Sequence, residues 1–177
     1  MRILVVKSSP HKKGPSNLLA DEFIRGAREK GHEVVEFDAA RSSIHPCLGC
    51  DKCAMNGKCI QDDDMATLEE LILSSEMMVL VTPLYYYGFS SQLKLTIDRW
   101  YSFTTRLSEK RMRTALIVAA WDDKDWTMND VANHYRTLCH YMNFKSVGEI
   151  LGKGCGNLSM TKATDYPRKA YELGKSI

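Results

Sequence analysis

Arg2-Ile3-Leu4-Val5-Val6-Lys7, running directly into Ser8-Ser9-Pro10-His11-Lys12-Lys13-Gly14-Pro15-Ser16-Asn17, is the stretch that decides the fold. The first six residues are a short apolar, β-branched run, the pattern of a strand covered on both faces. The next ten are polar and turn-forming. Leu19, Phe23, Ile24 and Ala27 then recur at helical spacing, and Gly31 stops the helix. Val34 and Val35 open a second strand that ends near Asp38. Strand, helix and strand at this length form one βαβ unit, whose crossover is right-handed.

Outward from that unit the alternation repeats. Asp62-Asp63-Asp64 precedes a helix with Met65, Leu68, Leu71 and Ile72 on one face, and acids suit a helix N-terminus. Met77 to Val81 is a third buried strand, closed by Thr82-Pro83. Ser90 or Ser91 caps a third helix that turns Leu93, Ile97, Trp100 and Tyr101 inward. Thr114 to Ala120 is a fourth strand, Val131, Tyr135, Leu138 and Met142 mark a fourth helix, and Ser146 to Leu151 is a fifth strand. A last helix starts near Pro167. The pattern predicts an α/β three-layer sandwich, a single domain over residues 1–177, around a five-stranded parallel sheet of order 2-1-3-4-5. That order places a ligand outside the carboxyl ends of the strands, beside strand 1.

Charge and composition narrow the function. Lys+Arg number 24 against Asp+Glu 22, a net charge of +2, which gives no general attraction to nucleic acid or to an acidic membrane. No apolar run approaches the roughly 20 residues of a membrane span. The short apolar start is followed by no signal-peptide cleavage pattern, so the expectation is a cytoplasmic protein with reduced thiols. Any affinity for anions must come from a local site.

Two loops supply such a site. Ser8 to Asn17 joins strand 1 to helix 1, where free backbone N–H groups and the helix dipole favour a phosphate dianion. Ser9, Ser16 and Asn17 add side-chain donors, and His11, Lys12 and Lys13 add positive charge. The loop is neither a Walker A loop nor Gly-x-Gly-x-x-Gly. The bland alternative is a solvated turn with Ser16 as helix cap. The second loop, Thr82-Pro83-Leu84-Tyr85-Tyr86-Tyr87-Gly88-Phe89, leaves strand 3 at the same sheet edge. Its aromatics cannot all face inward. Apolar contacts plus backbone donors and acceptors suit a flat heteroaromatic ring. The alternative is packing on the sheet end or at an oligomer interface.

A third segment, residues 45–60, is a Cys-rich loop carrying Cys47-x2-Cys50-x2-Cys53-x5-Cys59. Closely spaced thiols on an irregular loop can wrap a 4Fe–4S cluster. Zinc, which more often uses two separated pairs, and a metal-free loop with free thiols both stand beside it. Cys139 and Cys155 read as buried thiols.

Together these motifs resemble the NADPH-dependent FMN reductase family, and especially its iron–sulfur flavoprotein branch. The matching residues are Ser8-Ser9-Pro10-His11 with Ser16-Asn17, then Pro83-Leu84-Tyr85, Gln92-Leu93-Lys94 and Asp98-Arg99. The cysteine motif and the following Asp63-Asp64-Met65 also match. The resemblance runs from residue 2 to about residue 101. Ser8 replaces the usual Gly and His11 the usual Arg. The resemblance implies a flavodoxin-like fold, FMN as cofactor, NAD(P)H as electron donor and a homodimer. It implies phosphate contacts to Ser9, His11, Ser16 and Asn17, and ring contacts to Pro83, Leu84, Tyr85, Tyr86, Tyr87 and Gly88. The expected activity is electron transfer from NAD(P)H to a quinone, flavin, metal or protein acceptor, with no side-chain catalyst. The alternatives are an FMN electron carrier without NAD(P)H activity and a flavin-free metal-binding redox sensor. After strand 4 the family often has a glycine-containing loop. Here Trp121-Asp122-Asp123-Lys124-Asp125-Trp126 stands in its place, where Trp121 could wall the flavin or narrow acceptor access.

Overall fold

The computed structural model describes residues 1–177. Its five strands are β1 (Arg2–Lys7), β2 (Glu33–Asp38), β3 (Met77–Pro83), β4 (Arg113–Ala119) and β5 (Lys145–Gly152). They form one sheet of order β2-β1-β3-β4-β5, parallel throughout. This is the order expected from the sequence. Seven helices follow the alternation: α1 (Pro15–Glu29), α2 (Met65–Ser74), α3 (Ser91–Arg99), α4 (Thr104–Glu109), α5 (Asn129–Tyr141), α6 (Leu158–Ala163) and α7 (Tyr166–Ser176).

The continuous apolar strands are explained by two separate cores, one on each face of the sheet. Ile3 and Val5 of β1 join Val79, Ala115 and Ile117 under α1 and α7. Their neighbours Leu4 and Val6 point the other way and join Leu80, Leu116 and Val118 under α2, α3 and α5. Because successive side chains alternate faces, an all-apolar strand serves both cores. The two outer helices α1 and α7 touch backbone to backbone. A Cβ at Gly26 would overlap the Tyr171 carbonyl, and one at Gly174 the Phe23 carbonyl.

Several sequence expectations need correction. The third helix ends at Arg99, and Trp100–Phe103 is a 3-10 turn leading into α4, which the periodicity did not reveal. Trp100 is buried as expected, but Tyr101 is only half-buried, and its hydroxyl donates to Asp51 at 2.8 Å. The short α6 was likewise not expected. Ser90, rather than Ser91, caps α3, accepting from the Leu93 N–H. Ser16 is not a cap: the N-cap position of α1 is Gly14, with no side-chain cap, and Pro15 opens the helix. No helix is long and apolar enough to cross a membrane.

Candidate functional site

Parallel strands deliver all their carboxyl ends to one edge of the sheet. There the loops after β1, β3, β4 and β5 meet around a cleft of about 220 Å³, bordered by Ser9, His11, Ser16, Pro83, Tyr85 and Trp121 among others. The two loops singled out in the sequence are therefore neighbours. Buried hydroxyls join them at the root. Ser8 Oγ donates to the Val81 carbonyl at 2.8 Å, Ser90 Oγ donates to Ser8 Oγ at 2.9 Å, and the Ser90 N–H donates to Thr82 Oγ1 at 2.9 Å. The serine at position 8, a departure from the resembled pattern, is thus a structural tie. Sequence reading missed this tie and the parts Thr82 and Ser90 play in it, since hydroxyls 82 residues apart give no local signal.

The β1 loop divides its labour. Ser9 Oγ accepts from the His11 N–H at 3.2 Å, and the Asn17 amide donates to the carbonyls of His11 and Lys12 at 3.1 and 3.2 Å. Ser9 and Asn17 therefore brace the loop, and the turn is tight at Gly14, where a Cβ would sit 3.0 Å from the His11 carbonyl. Ser16 is different. It is 1% exposed, faces the cleft, and its Oγ has no partner. The N–H groups of Ser16 and Asn17 lie in the uncapped first turn of α1, where no intrahelical acceptor exists. An unpaired buried hydroxyl beside free helix-terminal N–H groups is a donor set for an anion. His11 stands exposed at the mouth. Lys12 and Lys13 do not join it. They border a separate groove of about 370 Å³ with Lys162, because the tight turn at Gly14 sends them to the other side of the loop.

The β3 loop is a two-residue turn. Tyr85 and Gly88 exchange both backbone hydrogen bonds, N–H to carbonyl, at 3.2 and 3.0 Å. Tyr86 and Tyr87 occupy its tip with φ of 45° and 63°, the left-handed region that bulky residues avoid. Pro83, Leu84 and Tyr85 face the cleft. Tyr86 and Tyr87 instead border an adjoining outer cavity of about 290 Å³ with Leu84, Ala120, Trp121 and Asp122. Gly88 borders neither, and its N–H is spent on closing the turn. Trp121, Cys155 and Gly156 complete the inner cleft, and only Trp121 had been singled out for this edge. Cys155 is buried, which pushes its thiol pKa up and keeps it protonated.

The Cys-rich loop lies between β2 and α2. Cys47 and Cys50 are exposed, Cys53 and Cys59 half-buried, and all four are free. No three His, Cys, Asp or Glu side chains are gathered in reach of one metal ion. The loop is pinned from outside. Arg99, 2% exposed, donates to Asp63 Oδ2 at 2.6 Å and to the His45 carbonyl at 2.8 Å. Burial opposes the Asp63 charge, but Arg99 and the N–H groups of His45 and Met65 outweigh it and hold the pKa down to about 2.

The sequence of residues 1–154 matches the family described as NADPH-dependent FMN reductase. The chain belongs to the NADPH-dependent FMN reductase family. Members of this family are flavoprotein oxidoreductases that bind FMN and use NAD(P)H. An iron–sulfur flavoprotein of Archaeoglobus fulgidus is 27% identical over 178 residues, covering 100% of this chain and 79% of that protein. A second iron–sulfur flavoprotein, from Methanocaldococcus jannaschii, is 31% identical over 99 residues, 56% of this chain and 51% of its own, so the match spans about half of that relative. Among solved structures, an NAD(P)H:quinone oxidoreductase from Methanothermobacter marburgensis superposes with a TM-score of 0.80 at 18% identity, covering 99% of this chain and 95% of that one. An FMN-dependent NADH-azoreductase from Bacillus anthracis, in complex with FMN, gives 0.75 at 12% identity, covering 99% and 98%. These likenesses establish the flavodoxin-like fold.

Proposed function

We propose that residues 1–177 form one FMN-binding domain that passes electrons from NAD(P)H to a small-molecule acceptor. The carrying observation is the orphaned, buried Ser16 hydroxyl at an uncapped helix N-terminus, opening into an aromatic-walled cleft. FMN, when bound, supplies the hydride and electron chemistry. The chain supplies position. Ser16 Oγ and the N–H groups of Ser16 and Asn17 hold the phosphate, with His11 at the mouth, while Ser9 and Asn17 keep the loop in shape. Pro83, Leu84, Tyr85 and Trp121 border the ring. Tyr86, Tyr87 and Gly88 shape the turn that presents those contacts. No titratable side chain is needed as acid or base, and Cys155, buried and protonated, keeps the inner wall uncharged.

Cys47, Cys50, Cys53 and Cys59 we assign as the ligand set of a 4Fe–4S cluster, in line with the iron–sulfur flavoproteins among the relatives. The donors are right in kind, four free thiols on one irregular loop, but the loop does not gather three of them. Cluster assembly would therefore have to close it. The family resemblance also supports a homodimer, which light scattering tests.

Titrating apoprotein with FMN in a calorimeter tests the core of this reading. One FMN per chain, bleached by NADPH under anaerobic conditions, is the expected result. A protein that ignores FMN refutes the reading, and FMN that NADPH leaves oxidised reduces it to an electron carrier.

A further inference from the structure

We propose that the outer cavity is a slot for a planar aromatic acceptor without negative charge, and that Trp121 is the specificity-determining wall that forms it. This rests on the reading above, in which the inner cleft takes the flavin. Trp121 and Leu84 border both cavities, so the outer one adjoins the inner across these two side chains. Asp122 is the one charged residue of the outer lining.

The indole is 70% exposed, yet it is held in place. The carbonyls on either side of it are fixed: Ala120 accepts from the Cys155 N–H at 2.7 Å, and Asp122 from the Gly154 N–H at 3.0 Å. Its face lies on Gly156, where any Cβ would overlap ring carbons Cε3 and Cδ2. Gly156 has no left-handed backbone conformation to explain it. The absence of a side chain there serves the indole. A second lining residue is also braced. Tyr87 packs against Trp126 with ring centroids 5.1 Å apart. Aromatic lining residues held in this way favour a flat ring, since stacked aromatic pairs gain beyond area burial.

Asp122 sets the charge preference. Thr127 Oγ1 donates to its carboxylate at 2.9 Å and the Lys124 N–H at 3.2 Å, which fixes its position. Lys153 pairs with Asp125 at 2.8 Å and Lys124 lies near both Asp122 and Asp123, so these three acids and two lysines keep one net negative charge. A neutral or cationic ring is accepted and an anionic one repelled.

The test compares menadione, a neutral naphthoquinone, with an anionic naphthoquinone sulfonate. FMN content is measured first, menadione binding by calorimetry second, and KM and kcat with NADPH third. Trp121→Ala removes the wall, and Gly156→Ala pushes the intact indole off its seat, so each should weaken menadione binding and raise its KM about 3- to 10-fold in protein that retains FMN. The double variant should be no worse than either single one, because both remove the same contact. Trp121→Phe should restore most of the affinity. Asp122→Asn should lower KM for the sulfonate and leave that for menadione unchanged. Menadione affinity and KM that stay at the parental value in both Trp121→Ala and Gly156→Ala, in protein that retains FMN, overturn the slot and leave the proposed function standing. A parental protein that takes no FMN removes the proposed function, and the calorimetric binding of menadione then decides the slot by itself.

Discussion

The loop of residues 8–17 and the loop of residues 45–60 are both irregular and polar, and both follow a strand at the same sheet edge, but they are held in opposite ways. The first closes on itself: Ser9, Gly14 and Asn17 all make bonds to residue 11 or 12 of their own loop. The second is held by residues far along the chain. Arg99 grips the His45 carbonyl and Asp63, Tyr101 grips Asp51, and Arg106 grips Asn56. A self-closed loop has its ligand contacts built before the ligand arrives. A loop fastened from outside leaves the arrangement of its four free thiols to be set by what they bind.

Cutting the strongest pin gives the largest effect. Asp63→Asn leaves the Arg99 guanidinium buried without its counter-charge and should cost about 3–5 kcal/mol in urea unfolding, while FMN affinity of the folded protein changes little. The pH dependence follows. Asp63 has a folded pKa of about 2, below its unfolded value near ~3.9, so the pair contributes fully above pH ~4 and its contribution is lost as pH falls through 2. The Asn variant should lack this part of the acid-unfolding limb. Next comes Ser16→Ala, which removes a hydroxyl already without a partner. Apoprotein stability should hold or rise slightly, while FMN affinity falls about 10-fold or more, since hydrogen bonds to charged groups are worth ~1.5–3 kcal/mol. An equal loss of stability in the apoprotein would show that Ser16 is structural. Smallest is Ser90→Ala, which deletes both a helix cap and the tie to Ser8. It should cost about 1–2 kcal/mol by thermal unfolding and weaken FMN binding modestly, because both ligand loops share that root.

The fold was legible because it is written in local signals. Apolar strands such as Met77 to Val81, buried on both faces, and helices such as Leu19 to Ala27, with one apolar stripe, fix strand number, parallel pairing and the ligand edge without long-range information. Trp100 to Phe103 escaped because an amphipathic stripe looks alike in an α-helix and in a 3-10 turn over four residues. The two ligand loops were legible from turn chemistry and position. The division of labour within them was not. Ser9, Ser16 and Asn17 are all small polar residues, and only geometry separates the two that brace the loop from the one left with a free hydroxyl. Gly156 was invisible because its role is defined by an indole 35 positions earlier in the chain.

Tyr86 and Tyr87 sit where asparagine and glycine are the natural occupants, since a turn with two left-handed residues suits Asn-Gly best. Two bulky side chains in that geometry burden the folded state by about 1 kcal/mol each. Replacing the pair by Asn-Gly should therefore yield a protein that melts at a higher temperature and performs worse. The tip of this hairpin is a place where resilience has been given up so that the Tyr86 ring stands clear of the surface and the Tyr87 ring reaches Trp126.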